Sequence, residues 1–137
     1  MGHSYRDLIV WHKAKSLAVE VYRYTECFPK TEIYGLTSQM RRAAVSVASN
    51  IAEGQGRLTK GEFTQFLGHA RGSLLELRTQ SEIALELSLI EEDKFLQIET
   101  DSQEVLRALN GLIESLKPPQ IDISRRASKL ETRNLKL

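Results

Sequence analysis

Residues 36–77, LTSQMRRAAVSVASNIAEGQGRLTKGEFTQFLGHARGSLLEL, decide how the chain folds. In the first half, Met40, Ala44, Val47 and Ile51 recur at helical spacing and form one apolar stripe. Ala43, Ser46, Ala48, Ser49 and Ala52 fill much of the remaining surface. So little side-chain volume lets neighbouring backbones come close, so this segment reads as a central helix touched on more than one side. Thr37 or Ser38 is its expected N-cap, and Gly54 and Gly56 are expected to end it. Thr59 and Glu62 then stand at capping-box spacing and open a second, longer helix. Its Phe63, Leu67, Ala70, Leu74, Leu77, Ser81 and Ala84 alternate by four and three, the spacing of a helix–helix seam. Over 59–88 it would span about 45 Å. Gly68 and Gly72 lie inside it, where each costs about 1 kcal/mol relative to alanine. Close packing of another helix is the expected reason for them.

Upstream, Val10, Ala14, Leu17, Val21, Tyr24 and Phe28 share one face of a first helix. Trp11, Ala18 and Tyr22 make a second, partly apolar face, which needs a partner of its own. Pro29 stops this helix, and FPKTEIYG connects it to the next. Downstream, the acidic break IEED precedes Phe95, Ile98, Ser102, Val105, Leu109, Leu112 and Leu116, again at seam spacing. Pro118 and Pro119 close that helix. Helices near 7–27, 37–54, 59–88 and 91–117, joined by short connections, predict an all-α, antiparallel up-down-up-down four-helix bundle. Crossing angles of about 20° follow from the seam spacing. The bundle forms one domain over 1–117. The tail, 118–137, has scattered hydrophobes and a cationic balance, and is expected either to be flexible or to dock on a neighbour.

The overall charge of +1 across 137 residues gives no global field toward nucleic acid or an anionic membrane. Cys27 stands alone, which rules out an intrachain disulfide and fits a reducing compartment. It is expected to be a buried free thiol. No stretch approaches the length of a membrane span, so no membrane partner is expected and a cytoplasmic protein is the default. A metal is not expected either: His12 and His69 lack partners at ligand spacing, and the Glu-x-x-His pattern of di-iron bundles is missing. There is no nucleophile elbow, P-loop or dinucleotide fingerprint. Gly54–Gln55–Gly56 follows a helix rather than a strand, the wrong setting for a phosphate. Neither a catalytic residue nor a cofactor is expected.

Charge is nevertheless segregated. Residues 36–61 carry Arg41, Arg42, Arg57 and Lys60 against Glu53, while residues 82–104 carry eight acids against Lys94. Solvated faces and ion pairs between helices explain this blandly. The functional alternatives are a phosphate-binding patch at Arg41, Arg42, Arg57 and Lys60, or complementarity between subunits. Asn50, Glu53, Arg71 and Glu76 lie beside small residues, where burial would require pairing. A network joining Glu53 to Arg71 is expected to fix the register of the two central helices. Trp11, Tyr22, Leu75, Ile83 and Leu87 fall off the main stripes, too many for one monomer to expose together. They form the expected subunit interface.

The segments YRDLIVW (5–11), YGLTSQMRRAAVSVASNIAEG (34–54), EFTQFL (62–67) and ARGSLLEL (70–77) resemble the four-helix-bundle proteins of the 23S rRNA intervening-sequence family. The resemblance covers roughly residues 5–117. Family members often carry proline where this chain has Ala48. The resemblance implies a bacterial source, a four-helix bundle and ring-shaped homopentamers. A similar relative, the accessory variability protein of diversity-generating retroelements, binds nucleic acid and a reverse transcriptase. Two functions are therefore expected in order. The first is a non-enzymatic, oligomeric scaffold or adaptor whose partner is itself or another protein. The second is a nucleic-acid-binding accessory protein acting with a reverse transcriptase or ribosomal RNA.

Overall fold

The computed structural model describes residues 4–119. The tail from 120 onward, with the expectations placed on it, lies outside the described residues. Four long helices make the fold: α1 (Ile9–Thr25), α2 (Leu36–Gln55), α3 (Lys60–Glu86) and α4 (Glu92–Leu116). One-turn 3-10 segments sit at Tyr5–Asp7 and Lys30–Glu32, and there is no strand among the described residues. Packing runs around a square, α1 on α2, α2 on α3, α3 on α4 and α4 on α1. The short connections make each neighbour antiparallel, as in up-down-up-down bundles. The start of α1 and the end of α4 therefore share one end of the bundle with the α2–α3 turn.

Leu17, Met40, Ile51, Leu67, Leu74, Leu77, Ile98 and Leu109 are the largest fully buried side chains. Each comes from one of the four seams, so burial of apolar surface holds the bundle together. The core also contains Ser81 and Ser102 hydroxyls and the Gln80 Oε1 without a hydrogen-bond partner.

Two helix ends depart from expectation. Neither Thr37 nor Ser38 caps α2. Gly35 is the N-cap, and the Glu32 Oε2 accepts the Leu36 N–H at 3.2 Å. Thr37 is instead buried within the first turn. A carboxylate arriving from the preceding 3-10 turn also places negative charge at the positive end of the helix dipole. Gly54 does not end α2 either. It is buried in the last turn, and a Cβ there would lie 2.8 Å from Phe63 Cδ1 and 2.9 Å from Phe66 Cβ. Glycine lets the two phenylalanines that open α3 lie directly on the α2 backbone. Gly56 is the C-cap. Thr59 caps α3 as expected, accepting the Glu62 N–H at 3.1 Å. At the far end of α3, Ser88 takes φ 58°, and the Leu89 N–H bonds the Ala84 carbonyl at 2.9 Å. This is a Schellman ending carried by a non-glycine residue.

Candidate functional site

The seams bury only one stripe of each helix, so the other faces carry whatever the bundle offers to partners. On the outside of α1 and α2 an apolar hollow of about 570 Å3 runs between Trp11, Ala18, Val19, Tyr22, Val45 and Ala48. Val19, Tyr22 and Val45 remain 45%, 44% and 42% exposed. Small residues make the hollow: Ala18, Ala48, Ser49 and Ala52 leave the floor low, while Trp11 and Tyr22 stand as walls. Lys15 and Arg23 rim it, and the Lys15 ammonium sits 4.9 Å from the Trp11 ring centroid.

The outward face of α3 is a second, separate surface. Gly61, Gly72, Leu75, Thr79 and Ile83 on it are exposed. Nothing lies within 4 Å of a Cβ built at Gly61, Gly68 or Gly72. The expected close packing of Gly68 and Gly72 within the chain is therefore incorrect; both open outward. Glu76, Glu82 and Glu86 are exposed on the same helix. The expected interface residues thus fall in two places. Trp11 and Tyr22 border the α1/α2 hollow, Leu75 and Ile83 stand on α3, and Leu87 lies just past the end of α3.

The four candidate cations are not gathered into one patch. Arg41 is bound to the end of α1: its Nε donates to Thr25 Oγ1 at 2.9 Å and its Nη2 to the Tyr22 carbonyl at 3.2 Å. Its guanidinium also stacks 4.6 Å from the Tyr22 ring centroid. It satisfies a carbonyl at the negative end of the α1 dipole. Arg42 is exposed beside a polar hollow with Gln39, Ser46, Ser73 and Glu76. Arg57 lies over the Phe66 ring at 4.4 Å, and Lys60 is the exposed first residue of α3. From Arg41 to the end of α2 is about 20 Å of helix, which separates the two pairs along the bundle.

The expected network of Asn50, Glu53, Arg71 and Glu76 does not form. Glu53 is exposed, and Arg71 turns to α4, donating to Asn110 Oδ1 at 3.0 Å. Asn50 bonds the Ser46 carbonyl at 2.8 Å, and Glu76 accepts from Gln80 at 3.2 Å. The physical reason is helical phase: Ser73 faces α2, and Arg71, two residues earlier, points to the opposite side of α3, away from the α2/α3 contact. Ser46 and Ser73 hydroxyls meet there at 2.9 Å. The half-buried ion pair belongs instead to α3 and α4, where Arg78 forks onto Glu99 at 3.1 and 3.4 Å. Cys27 is exposed, not buried as expected; in the turn after α1 it is the next residue, Phe28, that is buried. His12 Nε2 bonds the Arg6 carbonyl at 2.7 Å, and His69 packs edge-on to Phe66. Among the described residues no cluster of His, Cys, Asp or Glu is arranged to hold a metal ion.

One feature escaped the sequence reading. Between α1 and α4, a cavity of about 500 Å3 is lined by Glu20, Tyr24, Asp101 and Glu104 together with Lys13 and Arg23. Tyr24 donates to Glu20 Oε1 at 2.9 Å, and Glu20 and Asp101 line the cavity from facing helices. Burial, then the nearby Asp101 carboxyl, push the Glu20 carboxyl up from 4.5 to about 7, against the Tyr24 bond, which lowers it. Burial and Glu20 together raise the Tyr24 phenol from 10.0 to about 12. The i, i+4 spacing of Glu20 and Tyr24 was visible in the sequence; the arrival of Asp101 was not.

These features define an antiparallel four-helix bundle whose distinguishing chemistry is on its outer faces. The family described as 23S rRNA-intervening sequence protein matches residues 6–111, and the chain belongs to that family. Among solved structures the chain is similar to a protein of unknown function of the S23 ribosomal protein family from Bacteroides thetaiotaomicron VPI-5482. The two are 20% identical with a TM-score of 0.72, over 77% of this chain and 96% of that one. At that identity the likeness is one of fold. No curated protein matches the chain. No helix among the described residues is long and apolar enough to cross a membrane.

Proposed function

We propose that this protein is a non-enzymatic, cytoplasmic homo-oligomeric scaffold or adaptor. The observation that carries the reading is the α1/α2 hollow, an apolar surface that the chain's own packing leaves uncovered. Its occupant is a second copy, through the outward face of α3. The two surfaces are complementary in relief: the rings of Trp11 and Tyr22 stand out, while Gly68 and Gly72 leave the α3 backbone bare. They are also complementary in charge, with Lys15 and Arg23 on one rim and Glu76, Glu82 and Glu86 along the other. Two different patches meeting head to tail generate a ring when the rotation between subunits closes and a filament when it does not; a ring is proposed here, and the pentamer implied by the family resemblance is the preferred size. Sedimentation equilibrium tests this. The wild type should show a concentration-dependent multiple of the chain mass. Tyr22→Glu with Val45→Glu should shift it to monomer without loss of helix. A monomer at all concentrations overturns the reading.

Nucleic-acid binding is the second reading, supported by the family's description and by solvent-facing Arg42, Arg57 and Lys60. The scattering of these cations, and the commitment of Arg41 to α1, favour only weak, sequence-independent binding. Its affinity for labelled RNA should fall with salt by about 0.7 to 0.9 log units per phosphate contacted, per log unit of salt. Tight binding that survives physiological salt and disappears in Arg42→Glu/Arg57→Glu would place this reading first.

A further inference from the structure

We propose that residues 123–137 are an amphipathic strap that lies along the outward face of α3 of the same chain and competes there with a second copy. Gly68, Gly72, Leu75, Thr79 and Ile83 follow one another by three or four on the side of α3 turned from the core. Leu75 is 48% and Ile83 43% exposed, and a Cβ built at Gly68 or Gly72 meets nothing within 4 Å. This is a second seam on a helix whose first seam is already buried.

The chain beyond the described bundle carries the matching stripe. In QIDISRRASKLETRNLKL (120–137), Ile123, Ala127, Leu130, Asn134 and Leu137 are spaced alternately by four and three. Laid parallel to α3, Ile123 falls on Gly68, Ala127 on Gly72, Leu130 on Leu75 and Asn134 on Thr79, and Leu137 arrives beside Ile83. The largest side chain at the near end meets bare backbone, and the polar layer pairs Asn134 with Thr79. One polar residue in such a seam fixes its register.

Direction and reach agree. The end of α4 lies beside the start of α3, so a chain turning back from it runs parallel to α3. Pro118 and Pro119 prevent α4 from simply continuing. Residues 117–122 separate Leu116, the last of α4, from Ile123. Extended, they span roughly 20 Å, more than the spacing of about 8–10 Å between packed helix axes.

Charge selects the same face. The segment carries Arg125, Arg126, Lys129, Arg133 and Lys136 against Asp122 and Glu131. Past Gly72, every exposed charge on α3 is acidic: Glu76, Glu82 and Glu86. Arg126 falls opposite Glu76 in the parallel register, where flanking ion pairs of such seams form. The α1/α2 hollow is rimmed instead by Lys15 and Arg23 and disfavours a cationic strap. The strap thus covers the α3 surface that the head-to-tail contact needs, and holds assembly back by the fraction of chains strapped. That consequence rests on the oligomer proposed above; the strap itself does not.

Disulfide trapping of the full chain in a Cys27→Ser background tests the strap. Gly72→Cys with Ala127→Cys should close within one chain under mild oxidation. Gly72→Cys with Thr132→Cys turns the second thiol to the far side of the strap and should close far more slowly. Equal rates for the two pairs, no closure of the first, or links mainly between chains overturn the strap. Hydrogen exchange needs no cysteine: amides of 127–137 should be protected in the wild type and lose that protection in Leu130→Glu/Leu137→Glu. Unprotected wild-type amides there overturn the strap as well. Sedimentation equilibrium reads the consequence. Leu130→Glu/Leu137→Glu should tighten association, by about tenfold if about nine chains in ten are strapped. Trapping without any tightening overturns the competition. A monomer in both chains overturns the oligomer, and the competition with it, while the strap stands on the trapping result.

Discussion

The α2/α3 contact and the outward face of α3 both use glycine in a helix, for different reasons. At Gly54 a side chain would strike Phe63 and Phe66, so the residue is fixed by packing within the chain. At Gly68 and Gly72 a side chain would meet open space. Their cost to the helix has no return among the described residues of one subunit. The proposed head-to-tail contact would give them one, because a partner could approach the bare backbone closely. The inner face is explained by folding, and the outer face is what the proposed association would use.

The largest expected effect tests the inner side. Leu74→Ala empties a fully buried seam position and should destabilise by roughly 3–5 kcal/mol in denaturant melts. Next, Arg78→Ala strands the half-buried Glu99 and should cost roughly 1–3 kcal/mol. A double-mutant cycle with Glu99→Ala should show coupling. Gly54→Ala pits a gain in helix propensity against overlap with two phenylalanines, and a net loss of about 1–2 kcal/mol is expected. A stabilised Gly54→Ala would erase the contrast with the outer face. Gly72→Ala sharpens it: in the Tyr22→Glu/Val45→Glu background, expected to be monomeric, it should raise stability by about 1 kcal/mol. In the otherwise wild-type chain it should weaken association, seen as a lower mass at equal concentration. Last and smallest, Arg71→Ala, on an exposed side chain, should change stability by less than about 0.5 kcal/mol.

The seams were legible because they repeat. Phe63 through Ala84 and Phe95 through Leu116 place an apolar or small residue at each step, and a four-helix bundle with short connections buries all four stripes at once. The surface features were half legible. The exposure of Tyr22, Leu75 and Ile83 could be read from their being off-stripe, but not which of them share a face. Charged pairings were not legible, because closeness along a hairpin does not fix which side of a helix a residue faces. Glu53 and Arg71 flank the α2–α3 turn, yet Ser73 is the residue that meets α2, and Arg71 points to α4. Arg78 also reaches α4, where it meets Glu99.

By itself, then, the sequence determined helix number, order and inward faces, because amphipathic spacing is local and each stripe must be buried whatever lies opposite. Tertiary structure alone decided the pairings between helices: Arg41 on the end of α1, Arg71 on Asn110, and Arg78 on Glu99. Each depends on the rotation of one helix against another, and a few ångströms there turn a solvated charge into a bonded one. The same rotation opens the hollow on one side of the bundle and bares the glycines on another.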